Sequence, residues 1–270
     1  MKYYFRENVR RYEEMTRMGL EDWAEFRYGD VDFHDFSSRE FLEVALPKLR
    51  FGTPNPTALE LGTGVGPGAL FLAERGYRVT GYDLIPEAID AAREIAAARG
   101  FSIRYEVMDV TRIPHDGEQF DLIVDSYCIN HIVFAEERRA VFESIKARLK
   151  PDGYYLVSSA MYVPSRHTPE KKVVDIATGK TYDVYDGDCL YEPETDYYYE
   201  PLENFPSERE RTEHCEDTFV VNGKIYIPKR CYRDGERLQA ELGIYGFDVI
   251  SQNGEEDENS ICVHKGSKTD

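Results

Sequence analysis

Thr57-Ala-Leu-Glu-Leu-Gly-Thr-Gly-Val-Gly-Pro-Gly-Ala-Leu-Phe-Leu-Ala-Glu-Arg-Gly76 is the stretch on which the fold is decided. Its opening run, Ala58 to Leu61, has the short apolar character of a buried strand. It breaks into Gly62, Gly64, Gly66 and Gly68, four glycines within seven residues. Glycine has no Cβ, so such a backbone takes left-handed angles and lies close against a ligand. A helix pattern follows and stops at Gly76. Strand, glycine turn and helix in this order form the nucleotide-binding corner of a doubly wound α/β fold. A tight turn with no ligand has the same local sequence, so the residues around it must decide.

Downstream, strands and helices alternate. Tyr77 to Asp83 reads as a second strand ending on an acid. Pro86 suits a first helical turn, and the alanine-rich stretch Glu87 to Arg99 is strongly helical and closed by Gly100. Ser102 to Met108 alternates with period two, giving a third strand before Asp109. Phe120 to Asp125 is the fourth strand. Glu136 to Leu149 is amphipathic, with Val141, Ile145 and Leu149 on one face. Lys150-Pro-Asp-Gly153 reads as a turn and Tyr154 to Ser158 as the fifth strand. This alternation implies a parallel sheet with right-handed crossovers.

The rhythm changes after Ser159. Residues 160–233 show no helix pattern and are rich in tyrosine, proline and acids. Thr218 to Ile227 is a hairpin signal with Asn222-Gly223 as its turn, and Lys172 to Val184 is a weaker one. A helix at Glu236 to Leu242 then resumes the earlier pattern, with strands at Phe247 to Ser251 and Ser260 to His264. Their connector is too short for a crossover helix, so this last pair should be antiparallel. Upstream, residues 1–52 are aromatic and helical. Ser37-Ser38 before Phe41 reads as a helix start with a serine cap, ending near Pro47. The expected fold is α/β, a doubly wound, mostly parallel seven-stranded sheet with a C-terminal antiparallel strand pair. An N-terminal helical lid (1–52) precedes a core of 53–159 and 234–270. A β-rich insertion (160–233) forms a substrate cap or dimer contact. For the N-terminal aromatics, plain packing is the rival to a lid.

The chain has 270 residues, 41% of them hydrophobic, enough to bury a sizeable core. Its 33 basic and 51 acidic side chains leave a net charge of -18. Such a surface repels phosphate backbones and anionic membranes. No nucleic acid or membrane partner is expected, and a neutral or cationic small molecule fits the field better, although solubility alone also accounts for the charge. Five scattered cysteines with no Cys-x-x-Cys pair speak against a disulfide framework and a zinc site. No apolar run approaches the roughly 20 residues of a membrane span, and the N-terminus has no secretory pattern. A cytoplasmic protein with no metal is expected.

A nicotinamide dinucleotide asks for Gly-x-Gly-x-x-Gly and an acid about 20 residues on. Here the spacing is Gly62-x-Gly64-x-Gly66-x-Gly68, and Asp83 suits the ribose acid of either class. Three further features separate the classes: Glu60 just before the first glycine, the turn Leu149-Lys-Pro-Asp-Gly153, and the terminal antiparallel pair. Together with Asp109 and Phe120-Asp-Leu-Ile-Val-Asp125 these resemble the class I S-adenosylmethionine-dependent methyltransferases. The resemblance covers residues 57–159 and, in outline, 236–264. It departs at Thr63, where the family usually carries Cys or Gly. It implies S-adenosyl-L-methionine as cofactor and S-adenosyl-L-homocysteine as product. Gly62, Thr63, Gly64 and Gly66 would approach the methionyl and ribose portions, and Glu60 would accept around the cofactor's amino group. Asp83, with Leu84 beside it, would take the ribose hydroxyls, though capping the next helix is its alternative. Asp109 and the Val110 amide would read the adenine, and Asp125 would sit beside the methionyl part. Arg27 or Arg39 would meet the methionyl carboxylate.

Methyl transfer from a sulfonium needs little covalent help. Alignment and desolvation can supply up to roughly 7–11 kcal/mol. A base is needed only where the acceptor carries a proton that must leave. His131, just past strand four, is the candidate base, with packing as its alternative. Asn130 and Tyr127 share its loop and would orient an acceptor. The tyrosines of the insertion either hold a cationic amine by cation–π attraction or pack a small β unit. The expected activity is methyl transfer to N or O of a small neutral or cationic molecule, with a homodimer compatible with it. The rivals are a protein or peptide side-chain methyltransferase, a non-catalytic S-adenosylmethionine-binding module and, third, a nicotinamide oxidoreductase.

Overall fold

The computed structural model describes residues 2–19, 33–161, 168–204, 217–255 and 258–265. β1 (Thr57–Leu61) is buried along its whole length, as the centre of a sheet covered on both faces must be. It runs parallel to β2 (Arg78–Asp83) on one side and β4 (Phe120–Ser126) on the other. β3 (Arg104–Val107) lies outside β2, and β5 (Leu149–Ala160) outside β4, both parallel to their neighbours. β12 (Phe247–Glu255) and β13 (Glu258–Lys265) then form a hairpin whose second strand pairs antiparallel with β5. The five parallel strands and this hairpin make a seven-stranded sheet in the order β12-β13-β5-β4-β1-β2-β3. The strand order reverses between β1 and β4. In such sheets ligands bind beyond the carboxyl ends at that reversal.

α3 (Pro67–Glu74) and α4 (Pro86–Ala98) both carry proline in the first turn, where its missing N–H costs nothing. α5 (Ala135–Arg148) and α6 (Gly235–Ile244) complete the crossovers. Two local expectations need correction. The Lys150–Gly153 turn lies within β5, because Leu149 already pairs with Phe120 and the register shifts before Leu122. Ser38 precedes α2 (Arg39–Ala45), but its hydroxyl makes no cap bond. Its φ of -92° and ψ of 2° depart from the extended backbone that aims a cap side chain at the free amides.

A second, antiparallel sheet follows β5. β6 (Lys171–Val174), β7 (Thr181–Tyr185), β8 (Cys189–Glu192), β9 (Tyr197–Pro201), β10 (Phe219–Val221) and β11 (Lys224–Cys231) form it in the order β10-β11-β9-β8-β7-β6. Asn222 (φ 48°) and Gly223 (φ 86°) make the expected left-handed turn between β10 and β11. The Asn222 side chain also donates to the Val174 carbonyl (2.9 Å) and accepts from the Ile176 amide (3.1 Å). The two ends of the strand order therefore meet, and the sheet is rolled. Inside the roll, Tyr182, Val184, Leu190, Tyr199, Val221 and Tyr226 pack together. Tyr199 lies 4.5 Å from Phe219 and 6.2 Å from Tyr182, both edge-on. These tyrosines fill a core and do not form an open cationic cage.

α1 (Tyr3–Met18) lies against residues that follow the central strands, Tyr4 bonding Asp109 and Tyr12 meeting Gly64. Tyr3 and Tyr4 share one apolar cluster with Leu59, Ile129, Ile132 and Ile227, the last from β11. The first helix, the parallel sheet and the rolled sheet thus meet at one place. Among the described residues no helix is long and apolar enough to cross a membrane.

Candidate cofactor crevice and acceptor loop

The glycine loop needs its glycines for backbone angle and for space. Gly62 and Gly64 have φ of 64° and 56°, left-handed values that other residues rarely hold. A Cβ on Gly62 would lie 2.9 Å from the Cys128 Cβ, and one on Gly64 only 2.7 Å from the Tyr12 hydroxyl. The loop is therefore pressed from one side by the segment after β4 and covered on the other by α1. Gly66 forms the N-terminal cap position of α3, also left-handed. The Thr63 amide donates to the Tyr82 carbonyl at 2.9 Å, closing the loop onto β2.

Glu60 turns into the protein at the foot of α3. It is buried, accepts from the Thr63 hydroxyl at 2.5 Å, and accepts from the Ala69 amide. A Cβ on Gly68 would overlap Glu60 Oε1. Burial pushes the Glu60 carboxyl up to about 7, with the Thr63 bond opposing the shift. Thr63 thus holds Glu60. Its own expected contact was with the cofactor.

Asp83 ends β2 beside the loop. Its Oδ2 accepts from the Gly64 amide (2.8 Å) and its Oδ1 from the Ile85 amide (2.9 Å). These bonds hold the turns on either side; the N-cap position of the next helix belongs to Ile85. An ionised carboxylate has about four lone-pair sites, so acceptor capacity remains for a diol. Burial raises its pKa against these amide bonds. Leu84 follows, half-buried against the main apolar cluster, and Val110 is buried within it.

Asp109 follows β3. Its Oδ1 accepts from the Thr111 amide (2.9 Å) and hydroxyl (2.7 Å), and its Oδ2 from the Tyr4 hydroxyl (3.0 Å). Tyr3 is fixed in the same way: it accepts from the Val133 amide at 2.7 Å and donates to Glu137 Oε2 at 2.8 Å. Lys2 reaches the other Glu137 oxygen at 2.8 Å. The start of α1 is tied by three consecutive residues.

Asp125 ends β4 opposite Leu61, next to the glycine loop. It is 1% exposed and its oxygens are committed to the Cys128 amide (2.8 Å), the Ile129 amide (3.1 Å) and the Tyr155 hydroxyl (3.2 Å). It shapes the turn after β4, where backbone amides would otherwise be unpaired. Burial pushes its carboxyl up to about 7 despite those bonds.

That turn carries the acceptor candidates. Tyr127 has a left-handed φ of 63°, a strained value for an aromatic residue. Its amide is anchored to the Ser158 carbonyl at 2.9 Å. Ile129–His131 form a short 3-10 turn. Asn130 is 4% exposed and its Oδ1 has no hydrogen-bond partner, while His131 is half-buried. Tyr127, Asn130 and His131 thus share one turn, whose Cys128 lies against Gly62 of the glycine loop. Arg39 is spent elsewhere, on Glu43 (3.0 Å) and the His34 carbonyl (2.8 Å). Arg27 lies outside the described residues. Among the described residues no group of side chains could hold a metal ion.

Sequence reading missed two residues. Tyr4 was one aromatic among many in the N-terminal segment, and nothing local marks it as the partner of Asp109, 105 positions away. Arg138, on which the sequence reading is silent, is 1% exposed. An arginine in the first turn of a helix, where acids are favoured, was the available signal.

A family model described as a methyltransferase domain matches residues 58–153. Phosphoethanolamine N-methyltransferase 1 of Triticum aestivum is 29% identical over 171 residues, which are 58% of this chain and 33% of that one. The 2-heptyl-1-hydroxyquinolin-4(1H)-one methyltransferase of Mycobacteroides abscessus is 32% identical over 128 residues, 42% of this chain and 56% of that one. The chain thus spans about a third to about half of the length of these relatives. Among solved structures, the CcbJ methyltransferase from Streptomyces caelestis superposes with a TM-score of 0.61 at 15% identity, covering 92% of this chain and 98% of that one. An S-adenosylmethionine-dependent methyltransferase from Clostridium acetobutylicum gives 0.58 at 15% identity, with 95% and 99% covered. Residues 58–153 thus match a methyltransferase domain, and the glycine turn and strand order agree with the Rossmann-like fold of the S-adenosylmethionine-dependent methyltransferases that the chain resembles.

Proposed function

We propose that the protein transfers a methyl group from S-adenosyl-L-methionine to N or O of a small, neutral or cationic molecule. The observation that carries this reading is the placement of Asp83 and Asp109. Asp83 ends β2 and Asp109 comes just after β3, on the same edge as the left-handed glycine loop, and the Asp83 carboxylate is bonded to that loop through the Gly64 amide. A diol, an adenine and a methionyl chain have matching acceptors there in the right order. S-adenosylmethionine, when bound, supplies an already activated methyl group.

The chain's own residues then have separable tasks. Asp83 orients the ribose through its remaining lone pairs. Asp109, held by Thr111 and Tyr4, accepts from the adenine amine, and the Val110 amide faces the ring. The Gly62–Gly66 backbone lies against the methionyl portion, while Glu60 and Asp125 keep the loops on either side in shape. α1 and β11 cover the crevice and exclude water, which strengthens every electrostatic contact beneath them. Asn130 Oδ1 accepts from a donor on the incoming acceptor, and His131 takes the proton where one must leave. The relatives named above include an N-methyltransferase and a methyltransferase of a hydroxyquinolinone, both small-molecule activities by their names.

The test uses S-adenosylmethionine with a deuterated methyl group and a panel of small amines, phenols and basic peptides. Mass spectrometry follows labelled product and S-adenosylhomocysteine. Labelled small-molecule product supports the reading, labelled peptide alone replaces its acceptor class, and binding without turnover on any acceptor leaves only a cofactor module. Thermal stabilisation by NADH and not by S-adenosylhomocysteine would overturn it outright.

A further inference from the structure

A chain of buried and half-buried charges runs from the candidate acceptor loop to the rolled sheet. It begins at Arg138 in the first turn of α5. One of its nitrogens donates to the Ile129 carbonyl (2.7 Å) and to the Ile132 carbonyl (3.0 Å). These two carbonyls bracket Asn130 and His131. Its other edge makes a two-pronged bond to Glu241 of α6, at 2.8 and 2.6 Å. Glu241 also accepts from Arg233 at 3.1 Å, and Arg233 donates to Asp196 Oδ2 at 3.0 Å. Asp196 lies in the turn between β8 and β9. It is buried, holds a left-handed φ of 64°, and accepts as well from Arg237 and from the Tyr191 hydroxyl.

The chemistry of this chain asks for more than adhesion. Burying ions is expensive, and apolar residues of similar volume usually serve stability as well or better. Only a guanidinium, with five donors in a planar fork, can hold two carbonyls on one edge and a carboxylate on the other. The carbonyls it takes are those of the short turn carrying the acceptor candidates. The far end of the chain lies in the sheet that, with α1, shares the apolar cluster over that turn.

We propose that Arg138 is a positioning residue for the acceptor loop, fixing Asn130 and His131 through the carbonyls on either side, and that Glu241, Arg233 and Asp196 make this hold depend on the seating of the rolled sheet. The inference rests on the reading of this loop as the acceptor site. It gives the rolled sheet a task beyond covering the crevice: its docking sets the geometry of the acceptor residues.

The test compares the full chain with Asp196→Asn, which touches neither the loop nor the crevice, and with the double variant Arg138→Met/Glu241→Met. The double variant keeps an apolar core where a single charge deletion would leave a buried ion unpaired. Hydrogen exchange is followed by mass spectrometry in peptides spanning 127–134 and 58–68, without and with S-adenosylhomocysteine. The His131 ring signal, assigned with His131→Gln, is followed by NMR. In both variants exchange in 127–134 should rise at least about five-fold and the His131 signal should move. The 58–68 peptide and the affinity for S-adenosylhomocysteine should stay within about two-fold. Unchanged loop exchange and an unmoved His131 signal in both variants would overturn the proposal. So would equal loosening of both peptides, since the charges would then be general fold support. If S-adenosylhomocysteine does not bind the unaltered protein, the cofactor reading fails, while exchange in its absence still decides whether Arg138 holds the loop.

Discussion

The Tyr4 hydroxyl donates to Asp109 Oδ2 at 3.0 Å, which joins the first turn of the N-terminal helix to the residue proposed to read the adenine. Removing that hydroxyl with Tyr4→Phe keeps the ring in its apolar cluster and frees one carboxylate oxygen. A single such bond is worth about 1 kcal/mol to stability. Affinity for S-adenosylhomocysteine should fall roughly 3–10-fold, in keeping with one bond of that size to a charged group. Calorimetry of Tyr4→Phe checks this, and unchanged affinity would separate the helix from the cofactor site.

Glu60 fills the space that a side chain at position 68 would need. Gly68→Ala should destabilise the protein by about 1–3 kcal/mol, the usual cost of overpacking, because the added methyl overlaps Glu60 Oε1. In a Glu60→Ala background the same substitution should cost much less. Urea unfolding of the four proteins gives the coupling, and additive effects would refute the contact.

Stability should depend on pH in a particular direction. Burial pushes the carboxyls of Glu60 and Asp125 up to about 7 in the folded chain. Unfolded, they titrate near 4, as free carboxyls do. Between these values the folded state binds protons that the unfolded state has released. The contribution is therefore full below the unfolded pKa and is lost as pH rises through about 7. Unfolding at pH 5.5, 6.5 and 8 should show stability falling with pH, by up to about 1.4 kcal/mol per unit for each group. Glu60→Gln should remove part of that slope, the rest staying with Asp125 and with Asp83, whose pKa burial also raises.

His131→Gln tests the base. With an acceptor that must lose a proton, kcat should drop about 10²–10⁴-fold, and the rising limb of the pH–rate profile should disappear. Affinity for S-adenosylhomocysteine should remain within two-fold. Full turnover across pH would make His131 a packing residue.

The parallel core was legible because its signals are local. The glycine spacing, the acids at the ends of β2, β3 and β4, and the short connector before β13 each act within a few residues. The Asn222-Gly223 hairpin was legible for the same reason. The roles of particular acids were less so. Asp125 reads as a site residue from its position at the end of a strand, yet its oxygens satisfy the amides of the turn that follows. Asp83 does this in part. What a carboxylate faces depends on which amides the next turn leaves unpaired, and that is a property of the folded backbone. Tyr4 and Arg138 lay further from reach, since each acts on a partner about 100 positions away. The tyrosines of the rolled sheet were legible as an aromatic tract, but only the strand pairing shows that their rings face one another.

The most direct measurement is a calorimetric titration of the protein and of Asp83→Ala with S-adenosyl-L-homocysteine. One site per chain is expected, with affinity lost at least ten-fold in Asp83→Ala while the chain keeps its overall fold by circular dichroism. No binding to the unaltered protein, or equal binding to both, would contradict that expectation.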